Sequence, residues 1–230
     1  MLDIYYILQQ NIVCTFIINN IISFILIKLI HKLLLFINKE AIWFQLHALV
    51  NYISAYLTYS DVMVCLQDPN QSNSSIQSRF APSLVLSLHV YHALFFNLRK
   101  EDWIHHIGSC FLSTPMCFFY PNKGLAFYCF FCSGLPGAID YTLLTLYKNK
   151  VCLKIVEKKI NAYLNSYIRM PGGIIGSYLI FKDAHLASSH MIYFSNMALS
   201  SLIFINTCYF GKQAIENYGV WKNNRKIKAK

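Results

Sequence analysis

Apolar runs of membrane-crossing length are what most limits the folds open to this chain. They lie at about 4–27, 41–65, 81–98, 104–120, 124–147, 164–182 and 187–211, separated by short loops. A helix needs about 20 apolar residues to cross a hydrocarbon core of about 30 Å. Helices also satisfy their own backbone groups there, which open sheets cannot. Only 13% of the 230 residues are charged, too few to cover a soluble domain of this length. The expectation is an all-α, polytopic transmembrane helical bundle of about seven spans. Residues 1–39 are read as a first span and cytosolic loop, 40–215 as the main transmembrane domain, and 216–230 as a basic cytosolic tail. The runs at 81–98 and 104–120 are short, so tilt or anchoring by Trp103 and Tyr120 at the interface is expected.

The net charge of +10 does not point to nucleic acid, because the basic residues are not gathered on one face. They form blocks between apolar runs. All of the 20 Lys and Arg residues except Arg79, Lys123, Arg169 and Lys182 fall on one side of the expected bundle. By the positive-inside rule that side is cytosolic, and the C-terminus lies there too. The opposite loop holds Asn70-Gln71-Ser72 and Asn73-Ser74-Ser75, both glycosylation acceptor patterns. Lys226-Ile227-Lys228-Ala229-Lys230 fits a dilysine retrieval signal, so an endoplasmic-reticulum membrane address and a retrieval-coat contact are expected. The first run is long and lacks an early basic region, so no cleavable signal peptide is expected. Val151–Ala162 is amphipathic and is expected to lie along the cytosolic interface.

Inside this apolar frame sits a polar cluster. Leu88-His89-Val90-Tyr91-His92 is followed by Lys100-Glu101-Asp102-Trp103-Ile104-His105-His106. Ionisable groups are costly inside a bilayer, so such a cluster marks a functional site by default. His89 and His92 are three residues apart and share one helix face. His105 and His106 point about 100° apart, so one can face a cavity while its neighbour meets another helix. Asp140, about two turns from the end of its run, is the carboxylate expected at the same level. The candidate catalytic residues are therefore His89, His92, His105, His106 and Asp140, with Arg99 and Lys100 expected to attract the phosphates of a co-substrate. Tyr91 and Trp103 are expected to close the mouth. His47, His190, Asp61 and Asn206 are further buried polar candidates outside this set. Cys129 and Cys132 read as two thiols packed in a helix, and no metal is expected.

The run from Ser83 through Cys110, with Asp102 before His105-His106, resembles the TLC domain of the translocating-chain-associated proteins, ceramide synthases and CLN8-like proteins. Ile205-Asn206-Thr207-Cys208-Tyr209-Phe210 and the basic tail resemble it too. The resemblance covers about residues 40–215. It implies a membrane bundle that holds lipid or acyl chains. In the ceramide synthase branch it implies acyl transfer from acyl-CoA by the paired histidines, here His105 and His106. The stretch Ser133–Asp140 has no His-Asp pair, so the chain is closer to the small members that are not ceramide synthases. Leu88–Ala93 is also similar to the histidine box of fatty-acid elongases, with Ala93 in place of its last histidine.

The expected function is handling of lipid or acyl chains, with acyl-CoA as co-substrate and no bound cofactor. One imidazole of the pair acts as general base or transient acyl acceptor. A non-catalytic lipid sensor or cargo receptor is the alternative from another class. An elongase-like enzyme and a di-iron lipid oxidase are further alternatives.

Overall fold

The computed structural model describes residues 12–37, 40–69, 75–98, 100–119, 124–187 and 189–228. Among them the chain is all-helical. Helix α1 is Ile12–Ile37, α2 is Ile42–Gln67 and α3 is Ile76–Phe95. Lys100–His105, His106–Leu112 and Ser113–Phe119 run on without a break as α4. Leu125–Tyr128, Cys129–Gly134 and Leu135–Lys148 likewise form α5, and Lys154–Leu164, Asn165–Arg169 and Met170–His185 form α6. Helix α7 is His190–Lys228. The middle piece of α4, α5 and α6 is in each case π-helical.

Packing follows the small and apolar residues. Ile27, Leu46, Val50, Leu84, Leu88 and Tyr91 join α1, α2 and α3. Ala81, Cys117, Leu125, Cys129, Ile180 and Leu199 join α3 to the remaining helices. Gly173 lets α6 approach α7, since a Cβ there would run into Thr207 and touch the Cys132 sulfur. The start of α3 is tied to α2 by Asp61, whose Oδ2 accepts a bond from the Ser75 backbone N–H at 2.6 Å. The outer surface is apolar. Ile17, Ile21, Ile25, Leu29 and Leu33 recur every four residues along α1, and each is at least half exposed. Such a stripe is a lipid-facing surface in a protein that lives in a bilayer. By length and composition α1, α5 and α7 are able to cross a membrane.

Three boundaries differ from the expectation, for one reason. Hydropathy marks where a helix leaves lipid, whereas the backbone continues as long as its own hydrogen bonds are favourable. Helix α1 runs to Ile37 rather than ending near 27. His31 therefore sits on a helix, where its Nδ1 meets the Tyr91 hydroxyl at 2.6 Å. The amphipathic stretch after Val151 is not a separate element, because α6 begins at Lys154 and continues through it. Helix α7 extends through Lys228 instead of ending near 211 ahead of a tail at 216–230.

Candidate functional site

Each helix that surrounds the bundle interior carries its polar residues inward as a stripe. On α6, Lys158, Asn161, Asn165 and Arg169 recur at three- and four-residue spacing. On α7, Asn206, Gln213 and Asn217 follow at seven and four residues, two turns and one, and on α2 His47 and Asn51 are four apart. These stripes, with His89 from α3, Asp102 and His105 from α4, and Asp140 and Tyr141 from α5, line one cavity of about 490 Å³. The lining on α6 and on α7 covers the same number of residues, about 16 Å of helix at roughly 1.5 Å per residue. The π-helical turns belong to this site. Cys132 and Ser133 come from the one in α5, Asn165 and Arg169 from the one in α6, and His105 immediately precedes the one in α4. A π turn inserts extra residue into the helical winding and re-aims the side chains beyond it, which is why such turns gather at functional sites.

Five imidazoles meet here. His89 lies with its ring centre 4.8 Å from His106 and 5.4 Å from His105. His47 lies 5.7 Å from His89, and His92 lies 5.1 Å from His106. Their surroundings separate them into two layers. His47, His89 and His105 line the cavity. Behind them, His92 Nδ1 and His106 Nε2 share a hydrogen bond of 3.3 Å, and both residues are buried. The Trp43 indole stacks on His92 at 3.6 Å, and Tyr141 stacks on His47 at 4.2 Å. His89 Nδ1 is 2.7 Å from the Val85 carbonyl. A carbonyl can only accept, so this nitrogen carries the proton and Nε2 keeps the lone pair. Asn206 hydrogen-bonds the His105 imidazole, and Asp102 is close enough to act on its charge.

Polar atoms around the cavity are left without protein partners. His105 Nδ1, His106 Nδ1, Asp140 Oδ1 and Arg169 Nε are buried and meet no hydrogen-bond partner among the described residues. Buried polar groups are normally paired, so the three that belong to cavity-lining residues, His105, Asp140 and Arg169, mark a place where a ligand or water completes the bonding.

The expected residues are placed unequally. His89, His105 and Asp140 share the cavity, while His92 and His106 form the layer behind it. The adjacent pair is thus split, as the 100° step along a helix requires. Asp140 is not bonded to an imidazole. Arg169 is the largest charge acting on it. Lys100 is exposed and outside the cavity lining, and Arg99 lies outside the described residues. The cations in the cavity are Lys158 and Arg169 instead. Tyr91 is buried against His31 rather than standing at the mouth, and Trp103 is exposed. His47 and Asn206, expected only as further buried polar residues, line the cavity, as do Arg169 and the other asparagines, which were not expected there. Their signal was present: His47, Asn51, Ser54 and Thr58 repeat at helical spacing through an apolar run, as do Lys158, Asn161, Asn165 and Arg169.

No family model, curated protein or solved structure matches this chain. Among the described residues, no three His, Cys, Asp or Glu side chains are grouped so as to hold a metal ion. What the lining offers chemically is a lone-pair nitrogen on His89, a second imidazole on His105, a carboxylate and a guanidinium, all inside an apolar bundle.

Proposed function

We propose that this chain is a multi-spanning membrane protein of the TLC type that handles lipid or acyl chains, and that its cavity carries out acyl transfer. The observation that supports this most is the cavity itself, with His47, His89 and His105 on its wall and an apolar exterior around it. In the proposed reaction a thioester donor, acyl-CoA, enters from the end formed by Lys158, Gln213 and Asn217. An imidazole facing the cavity, His105 or His89, takes the proton from a hydroxyl or amine of the acceptor. The acceptor atom bonds to the acyl carbon, the carbon–sulfur bond breaks, and the thiol leaves with a proton returned by the imidazole. His106 and His92 hold the reacting imidazoles in place.

In this reading all seven helices span the bilayer of the endoplasmic reticulum, with the cavity opening to the cytosol. At 39 residues, α7 is about 58 Å long, against a hydrocarbon core of about 30 Å. Its second half, beside the start of α6, therefore stands in the headgroup region and beyond, where a soluble donor would reach the mouth. Lipidomics of cells expressing wild type or a His105→Ala/His106→Ala double variant tests the function. A lipid class that accumulates with wild type and not with the variant supports transfer. Identical lipidomes at equal protein levels contradict it and leave the sensor or cargo-receptor reading.

A further inference from the structure

Two charged side chains of the cavity, Asp140 and Arg169, form no ion pair within 4 Å among the described residues. Asp140 Oδ1 and Arg169 Nε are both buried without a hydrogen-bond partner among the described residues. No ion pair within 4 Å joins the two side chains, although the Arg169 charge acts on Asp140. The other charges nearby are engaged. Lys158 Nζ lies 3.3 Å from Glu157 Oε1, and Asp102 acts on His105. Arg169 is also held in position. Its Nη1 donates to Asn165 Oδ1 at 3.1 Å, and Asn165 in turn donates to the Asn161 carbonyl at 2.9 Å. Gly137 leaves room beside it, since a side chain there would collide with the Asn51 amide and come within contact of Arg169 Nη2. A rigid guanidinium, a neighbouring amide and a carboxylate set apart from both thus border one space.

We infer that this space binds a zwitterionic lipid headgroup, an ammonium joined to a phosphodiester, with the phosphate on Arg169 and Asn51 and the ammonium on Asp140. An anion alone would meet the Asp140 carboxylate, and a cation alone would meet Arg169. A neutral ligand would leave both ions desolvated and unpaired, which is costly. A ligand with both charges gives each group an opposite charge at once, where water would give each only a neutral hydrogen bond. This rests on the cavity being a lipid site, and it specifies which lipid.

The test uses the full chain purified in maltoside detergent, titrated with three dihexanoyl lipids. These are phosphatidylethanolamine, its N-acetylated form, which lacks the ammonium, and phosphatidylglycerol. Wild type should bind phosphatidylethanolamine roughly tenfold or more tighter than the other two, the worth of one charge-assisted hydrogen bond. Asp140→Asn should erase that preference without weakening phosphatidylglycerol. Arg169→Gln should weaken all three. Equal binding of the three lipids by wild type, or no binding, overturns the inference without any variant having to fold. His105→Asn separates this claim from the proposed reaction, because it should lose transfer and keep the preference. If wild type transfers acyl groups yet shows no headgroup preference, the zwitterion site is wrong and the reaction stands.

Discussion

In the proposed reaction His105 carries the heaviest chemical load of any single residue. It faces the cavity, its Nδ1 is unpartnered, and Asn206 fixes its ring. A positioned general base contributes roughly 10²- to 10⁴-fold to rate, so His105→Ala should lower acyl transfer by about that much while the protein still unfolds cooperatively. A residual rate close to wild type would move the base to His89 or His47. His92 has a different job. It stacks beneath Trp43 and shares the buried bond with His106. His92→Ala would leave the buried His106 nitrogen without that partner, at a cost of about 1–3 kcal/mol. A lower melting temperature in detergent is the expected readout, and an unchanged one would show that the second layer is not structural.

Among the elements, the helices with π turns decide which side chains meet. The apolar runs made the existence of each helix legible, and α1, α5 and α7 are long and apolar enough to cross a membrane. The π turns were not legible, because nothing in composition records a hydrogen bond that skips one residue further. The amphipathic pattern made the helix at Lys154–Leu164 legible but not its continuation into the rest of α6, and the last turns of α7 hold helix without being apolar. The packing of α6 against α7 depends on Gly173, where a Cβ would run into Thr207. Gly173→Val should destabilise the protein by about 1–3 kcal/mol or more by overpacking. Thermal unfolding in detergent reads this directly, and Gly108→Ala, at a position with nothing within 4 Å of the added carbon, is the neutral control.

For the whole molecule, the part of the site that could be read in advance was the part that is local in sequence, together with Asp140, which its depth in its apolar run placed at the same level. His89, His92, His105 and His106 sit on a short helical hairpin, and their common depth follows from it. His47 and Arg169 join them only through the association of α2 and α6 with that hairpin, which no spacing in the chain dictates. The same scale carries the topology. If the proposed address and orientation hold, selective permeabilisation should leave a C-terminal tag accessible from the cytosol, and Lys226→Ser/Lys228→Ser should release the protein from the endoplasmic reticulum. A protected tag would invert the cavity's opening and remove cytosolic acyl-CoA as its donor. The most direct measurement is thiol release by the purified full chain in nanodiscs, with long-chain acyl-CoA as donor and an extract of membrane lipids as acceptor. Acyl transfer in this cavity predicts steady release of free CoA matched by labelled acyl lipid, and loss of both in His105→Ala. Release no faster than in the variant, from protein with an unchanged melting temperature, would contradict it.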